Sequence, residues 1–309
     1  MIGTISTIMM LAAPILIIAT GGMICERSGV TNVGLDGLMS IGACTAAIVH
    51  QLMEAAGVGR ISLTVALLVA ALVSMLISVL HAIASVDLKA DQTISGTAIN
   101  MLSTALTMFL AQTITGSGNI TIVRGIIRSD IPLLSSIPVL GPLFFSQTYW
   151  TTWLCLGIWG ISYFLLYRTN FGLRLRACGE HPSAVASAGI NVHRMRYIGV
   201  LLSGVLSGLG GAVILVTYAG EYNSGAGING LGFLAIAALI FGQWKPLGIL
   251  GSTAFFGLFM TIANVGRVLP GISEIPTGFL GLFPYFATLV ALVFSSRKSA
   301  APLASGQPF

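Results

Sequence analysis

The sequence predicts an all-α fold, a polytopic bundle of transmembrane helices that forms a single domain over residues 1–309. Of the 309 residues, 55% are hydrophobic and 7% are charged, whereas a soluble domain has about 25% charged residues. The mean hydropathy is +0.95. The apolar stretches run for about 20 residues without alternation, and this pattern favours helices over a membrane β-barrel.

Nine apolar stretches are candidates for membrane spans, and the count has a range of eight to ten. They cover residues 2–24, 35–53, 61–84, 94–115, 149–167, 197–218, 228–243, 247–267 and 279–296. The seventh, 228–243, is short and contains glycine. A tilted, broken or re-entrant element is therefore the alternative to a plain crossing there.

Nine crossings would divide the basic residues unequally between two faces. Four fall on one face, namely Arg60, Arg124, Arg128 and Arg267, and ten on the other, namely Arg27, Lys89, Arg168, Arg174, Arg176, Arg194, Arg196, Lys245, Arg297 and Lys298. By the positive-inside rule the face with ten is cytoplasmic, which puts the N-terminus outside and the C-terminus inside. The net charge of +5 then has a membrane explanation, and no nucleic-acid partner is expected.

Several function classes lack the residues that they need. Coupling to H⁺ or Na⁺ requires ionisable groups inside the spans, and Asp36 lies in the first turn of a predicted helix, where a structural or gating role is favoured over proton coupling. None of the three lysines lies in a Walker A motif. The four cysteines form no C-x-x-C pair, and no catalytic cluster is present. We therefore expect no catalytic residue, no metal and no cofactor.

Five polar residues lie within or at the ends of apolar spans, where lipid cannot satisfy their hydrogen bonds. They are the predicted substrate-pathway residues Asn32, Asp36, Gln92, Asn100 and Asn264. The same residues could instead link helices to one another, and the sequence leaves both roles open. The stretch 224–239 weakly echoes the Gly-rich stretch around Asp36, which indicates an internal pseudo-repeat or chance similarity.

A polar and basic segment, CGEHPSAVASAGINVHRMR at 178–196, separates two apolar stretches. Pro182 suits the first turn of a helix, and Gly189 suits its left-handed end. The predicted helix has about two turns and little apolar surface, so it is marginal in water without a partner. It either inserts into a groove of a cytoplasmic partner or rests on its own bundle.

Two of these stretches carry a resemblance to a known family. The segment GEHPSAVASAGINVHRMRY resembles the coupling-helix motif of ABC importer permeases of the branched-chain amino acid, simple-sugar and nucleoside group, with His181 where asparagine is more common. ERSGVTNVGLDGLMSIGA at 26–43 is similar to the signature of the nucleoside-type permeases associated with basic membrane lipoproteins, with Asp36 in place of glutamate. LLSGVLSGLGGA at 201–212 and GLGFLAIAALIFGQWKP at 230–246 match as well.

The resemblance implies a type II ABC importer-like fold and a permease subunit for nucleosides or related simple sugars in the bacterial cytoplasmic (inner) membrane, embedded in lipid. It implies a cytoplasmic ATPase that uses the ATP, an external substrate-binding lipoprotein, and a second homologous permease subunit in a heterodimer. The coupling segment is 168–196. The residues that would contact the ATPase are Gly179, Glu180, His181, Pro182, Ala184, Ala186, Ala188, Gly189 and Ile190. The alternative is a self-contained secondary carrier or channel for a small polar solute.

Overall fold

A computed structural model describes residues 2–59, 61–122, 125–132, 134–138, 141–224, 230–265 and 301–309, together with Leu282 and Phe286. Within these residues there are ten α-helices and two short strands. The helices are α1 (Ile2–Arg27), α2 (Leu35–Ala55), α3 (Ile61–Ala82), α4 (Gln92–Thr115), α5 (Trp150–Arg168), α6 (Asn170–Glu180), α7 (Pro182–Ser187), α8 (Val192–Ile214), α9 (Leu231–Phe241) and α10 (Pro246–Val265). The strands are β1 (Asn119–Thr121) and β2 (Glu221–Asn223).

Seven of the helices have the length of a membrane crossing. Helices α1, α2, α3, α4, α5, α8 and α10 contain 19 to 26 residues, or about 28 to 39 Å at 1.5 Å per residue, against a hydrocarbon core of about 30 Å. Six of them are also apolar enough to cross a membrane by composition. They match seven of the nine predicted spans, so the chain is a multi-pass membrane protein.

The remaining two predicted spans differ from this pattern. Helix α9 has 11 residues and is about 16 Å long, so the seventh predicted span contains a helix that reaches only about halfway through the hydrocarbon core. The ninth predicted span, 279–296, falls almost wholly outside the described residues. The structure therefore supports a count of about nine only roughly.

Two helices begin earlier than the hydropathy pattern indicates, because polar side chains cap them. Helix α8 begins at Val192 and not at 197, since Asn191 Oδ1 accepts a hydrogen bond from the Arg194 N–H at 2.9 Å. Helix α4 begins at Gln92 and not at 94, since the Asp91 carboxylate accepts from the N–H groups of Thr93 and Ile94. Capping residues are polar, so an apolar window begins after them.

Helices α1, α2, α3 and α8 pack together at the centre of the bundle through small residues. A Cβ atom placed on Gly42 in α2 would lie 2.2 Å from the Gly208 carbonyl oxygen in α8. A Cβ atom on Gly208 would lie 2.2 Å from the Ser74 hydroxyl in α3. Glycine and serine let helix backbones approach closely, which is how membrane helices gain packing energy without a hydrophobic effect between them.

The periphery of the bundle is apolar. Leu68, Leu72 and Leu76 lie at intervals of four along α3 and are each more than half exposed. Such a stripe would be unfavourable in water but fits a surface in contact with lipid.

The two ends of α1 mark two opposite faces of the bundle. Near its start, the Ser6 hydroxyl donates to the Gln147 carbonyl at 2.6 Å. The antiparallel pair of β1 and β2 aligns Asn119 with Asn223 and joins the segments that follow α4 and α8. At the other end, Arg27 contacts Glu180 at the end of α6. Helices α6 and α7 therefore lie on the face opposite the long segment between α4 and α5.

Replacing Gly42 with leucine is expected to destabilise the bundle, because the new side chain has no space beside Gly208. Overpacking of this kind costs about 1–3 kcal/mol and should lower the thermal unfolding midpoint of the detergent-purified protein. Gly157→Leu is the matched control, since a Cβ atom at Gly157 in α5 meets no atom within 4 Å. Equal midpoints for the two variants would contradict the close contact of α2 and α8.

Candidate functional site

The polar segment folds as two short helices between long ones. The Thr169 hydroxyl caps α6 by accepting from the Gly172 N–H at 3.2 Å, and His181 forms the corner before α7. Pro182 occupies the first turn of α7, where its missing N–H leaves no bond unmade. Ala188 ends the helix, and Gly189 follows with φ +78°, a left-handed conformation that favours glycine.

Helix α7 has six residues and presents small side chains outward. Val185 is buried against the bundle with 7% exposure, and Ile190 is partly buried against the core. In contrast, Ala184, Ala186 and Ala188 are exposed. The helix is therefore anchored through one side, and its outer face is smooth and unoccupied in the described part of the chain.

An open groove of about 630 Å³ runs between α6 and α7. Apolar side chains form most of its floor, and Arg174, Glu180 and His181 add charged or polar groups. Its lining residues are Asn170, Leu173, Arg174, Ala177, Glu180, His181, Ala184, Val185, Ala188 and Ile190. The groove includes five of the nine residues that the sequence predicts to contact an ATPase, and it gives a partner a concave surface beside the exposed helix.

The corner between α6 and α7 rests directly on the end of α1. A Cβ atom on Gly179 would lie 2.4 Å from the Arg27 carbonyl oxygen, so only glycine permits this approach. The Arg27 guanidinium contacts the Glu180 carboxylate at 3.3 Å. Burial raises the pKa of the neighbouring Cys178 thiol despite the opposing charge of Arg196, so this cysteine is a neutral packing residue. All four cysteines are free and buried.

The segment 301–309 lies across the same corner. Its backbone N–H groups donate from Ala304 to the Gly179 carbonyl at 2.8 Å and from Leu303 to the Glu180 carboxylate at 3.4 Å. The Arg196 side chain, 1% exposed, donates to the Gln307 carbonyl at 2.8 Å. This segment therefore ties the corner to the first turns of α8.

Four of the five predicted pathway residues converge on the turn between α1 and α2. Asn32 accepts from the Gly34 N–H at 2.9 Å and donates to the Ser203 hydroxyl of α8 at 2.8 Å. Gln92 of α4 accepts from the Thr31 N–H at 2.6 Å. His81 of α3 contacts the Thr31 carbonyl at 3.0 Å. Side chains from three surrounding helices thus hold this turn.

Asn100 and Asp36 hold the beginning of α2 itself. Asn100 of α4 accepts from the Gly37 N–H at 2.8 Å and donates to the Val33 carbonyl at 3.0 Å. Asp36 accepts from the N–H groups of Gly230 and Gly232, at 3.0 and 2.9 Å, and so caps the first turn of α9. The two glycine-rich stretches that the sequence relates as a possible repeat are therefore bonded to each other.

Asn264 lies apart from the other four. Its amide donates to the Met260 carbonyl of its own helix at 2.9 Å and accepts from the Tyr218 hydroxyl at 3.1 Å. All five residues make hydrogen bonds that link or shape helices. A role in the solute pathway stays a prediction for each of them.

The sequence interpretation did not identify Trp244 as the partner of Glu26 and Arg27 at the end of α1. The buried Glu26 carboxyl accepts from the Trp244 indole N–H at 2.5 Å, and Arg27 donates twice to the Trp244 carbonyl. The available signal was two adjacent charged residues at the end of an apolar span, since such groups need partners within the protein. Trp244 is 217 residues from Arg27 and 218 from Glu26.

The described part of the chain contains no group of three or more His, Cys, Asp or Glu side chains that could hold a metal ion. His50 and His81 bond to nearby hydroxyl groups of Ser62 and Ser95 and so are packed side chains. Among the described residues, the site offers polar contact and no catalytic group, with a buried polar turn and an exposed short helix at the same end of α1. This combination suits a membrane transport component.

Comparison with known proteins identifies the class. Residues 4–293 match the family described as branched-chain amino acid transport system / permease component, and the chain belongs to that family. It is therefore a transport component and not an enzyme. Membership implies an ATPase partner and a substrate-binding partner.

Two relatives match along nearly their whole length. The chain is 42% identical to the guanosine ABC transporter permease protein NupQ of Bacillus subtilis over 299 residues, which cover 96% of this chain and 93% of NupQ. It is 42% identical to the nucleoside ABC transporter permease protein NupC of Lactococcus lactis over 302 residues, which cover 98% of this chain and 95% of NupC.

Replacing Asn100 with alanine is expected to destabilise the start of α2, because it leaves the Gly37 N–H and the Val33 carbonyl without their side-chain partner. An unsatisfied buried group costs about 1–3 kcal/mol, so the thermal unfolding midpoint should fall. Thr104→Ala is the control, since Thr104 is exposed and bonds within its own helix. An Asn100→Ala protein with the parent midpoint but weaker solute binding would contradict the helix-linking role.

Proposed function

We propose that this chain forms the translocation pathway of an ATP-driven importer for nucleosides and couples that pathway to a cytoplasmic ATPase. The observation that carries the proposal is the exposed helix α7 beside the groove between α6 and α7. The similarity to NupQ and NupC, whose names specify guanosine and nucleoside, supports nucleosides as the substrate class. Related simple sugars are the second substrate class.

Helix α7 has the properties of a surface that a partner must complete. Six residues are too few for a stable helix in water, yet α7 is held by the buried Val185 and leaves its alanines exposed. Small side chains allow a partner backbone to approach closely. Because the sequence has no Walker A motif, the ATP that drives movement is used by the partner, and this subunit carries no cofactor of its own.

The distribution of charge supports the cytoplasmic position of the coupling segment 168–196. Arg174, Arg176 and Arg194 lie on the same face as Arg27, and cytoplasmic loops carry an excess of such residues. The N-terminus and the segment between α4 and α5 then face outward, and the C-terminus faces the cytoplasm of a bacterial cell. On the outward face an external lipoprotein would deliver the solute.

The proposed complex contains a second homologous permease subunit as a heterodimer with this chain. ATP-driven closure of the ATPase would push on α7 and switch the bundle between outward and inward access. The solute is moved without chemical change. Nucleosides present hydroxyl groups and base edges, and the amides of Asn32, Gln92, Asn100 and Asn264 can both donate and accept hydrogen bonds. Asp36 adds an acceptor at the start of α2.

Proteoliposomes that contain both permease subunits, the ATPase and the binding protein are expected to accumulate guanosine only when ATP is supplied to the ATPase side. Ala186→Trp should reduce uptake and solute-stimulated ATP hydrolysis at least about fivefold, the lower end of coupling between sites, because the indole would obstruct the partner on α7. Ala90→Trp is the matched control, since Ala90 is an exposed alanine in the turn between α3 and α4.

Two outcomes would contradict the proposal. Guanosine uptake by vesicles that contain this chain without an ATPase would establish the alternative, a self-contained carrier or channel. Unchanged hydrolysis and uptake by the Ala186→Trp complex would show that α7 is not the coupling contact. Chain insertion is checked for both variants by the amount of monodisperse protein in the membrane fraction.

A further inference from the structure

Three elements meet at the Arg27 guanidinium on the face that carries α7. Its Nη1 donates to the Glu180 carboxylate at 3.3 Å, at the corner between α6 and α7. Its Nε and Nη2 donate to the Trp244 carbonyl at 3.2 and 3.0 Å, in the turn between α9 and α10. One side chain, that of Arg27, therefore connects the end of α1, the corner between α6 and α7 (the coupling corner) and the C-terminal end of α9.

The turn that Arg27 binds is firmly attached to α9 and to α1. The Trp244 N–H donates back to the Leu239 carbonyl of α9 at 3.3 Å, and its indole N–H donates to the buried Glu26 carboxyl at 2.5 Å. Trp244 is itself buried, with 7% exposure. Movement of this turn therefore requires movement of the end of α9.

The far end of α9 is attached to the start of α2. Asp36 accepts hydrogen bonds from the Gly230 and Gly232 N–H groups. A Cβ atom on Gly232 would lie 2.3 Å from the Asp36 Cα atom, so the two backbones are in direct contact. Helix α9 is about 16 Å long and thus joins the corner between α6 and α7 at one end to the start of α2, which Asn100 of α4 also bonds, at the other.

We propose that α9 is a strut that transmits displacement of the coupling corner to the start of α2, and that Arg27 is the positioning residue that attaches the strut to the corner. This rests on the proposed function, because it specifies how movement of α7 would reach the pathway. A helix is internally bonded at every turn, so force at the Trp244 turn moves the Asp36 cap as one body.

The energetics allow Arg27 to be removed without unfolding the bundle. The side chains of Arg27 and Glu180 are 13% and 40% exposed, so water reaches this ion pair and screens it. Methionine preserves much of the apolar length of arginine while removing every donor. Arg27→Met therefore cuts the connection while most of the packing remains.

In the assembled complex, Arg27→Met is expected to lower the number of guanosine molecules taken up per ATP hydrolysed at least about fivefold. Basal ATP hydrolysis, recovery of the ATPase with the complex and the thermal unfolding midpoint should stay near the parent values. Glu180→Gln should act in the same direction, and the double variant should be no worse than Arg27→Met, because both lie in one connection. Arg176→Met is the matched control, since Arg176 stacks on Tyr167 and bonds within α6.

A second measurement follows α9 itself. With spin labels at Phe233 in α9 and Leu72 in α3, both exposed positions, the inter-label distance in the parent complex should change when a non-hydrolysable ATP analogue binds. In Arg27→Met the change should be lost. A purely structural role for Arg27 would lower the unfolding midpoint and leave this nucleotide-dependent change in place.

An Arg27→Met complex with the parent uptake per ATP, or with the parent distance change, would overturn the strut. Failure of the proposed function has a different signature, because the parent complex would then take up guanosine without the ATPase or would show no ATP-dependent uptake. That result would remove both proposals together.

Discussion

Polar groups inside this bundle have to find partners within the protein, because lipid offers none. The described chain meets this constraint mainly where helices begin, end or break. Asp36 caps α9, Asn100 bonds the backbone on both sides of the start of α2, and Arg27 bonds the turn after α9. The positions of these side chains determine which helix ends lie together, and the site is built from those junctions.

The residues of the turn between α1 and α2 and those of α7 differ in burial, and the proposed function depends on this difference. The turn between α1 and α2 is held by buried side chains from α3, α4 and α8, whereas the alanines of α7 are exposed. The exposed face of α7, which has no partner in the described chain, and the buried turn between α1 and α2 lie on the same side of the bundle. Glycine at position 179 allows the two to touch through the end of α1. A displacement of α7 therefore has to pass through only the end of α1 to reach the turn between α1 and α2.

The sequence predicts local features better than distant contacts. Apolar length identifies seven helices with the length of a crossing, and the Pro182 to Gly189 spacing predicts α7 and its left-handed end. The short seventh stretch also stands out from the sequence as unlike a plain crossing. Hydropathy places the starts of α4 and α8 too late, since the caps Asp91 and Asn191 are polar. The pairing of Arg27 with Trp244 has no local signal, because 217 residues separate them. Docking of segment 301–309 on Gly179 depends likewise on backbone groups, which any sequence possesses.

The central claim is that the outer face of α7 contacts the ATPase, and site-directed cross-linking tests it most directly. A photoreactive amino acid at Ala186, introduced into the full chain in cells, should form a covalent adduct with the ATPase subunit. The same probe at Leu72, on the exposed apolar stripe of α3, should not. The account predicts an ATPase adduct from Ala186 that grows when nucleotide closes the complex. Adducts from Ala186 to this chain's own bundle or to lipid, with none to the ATPase, would contradict it.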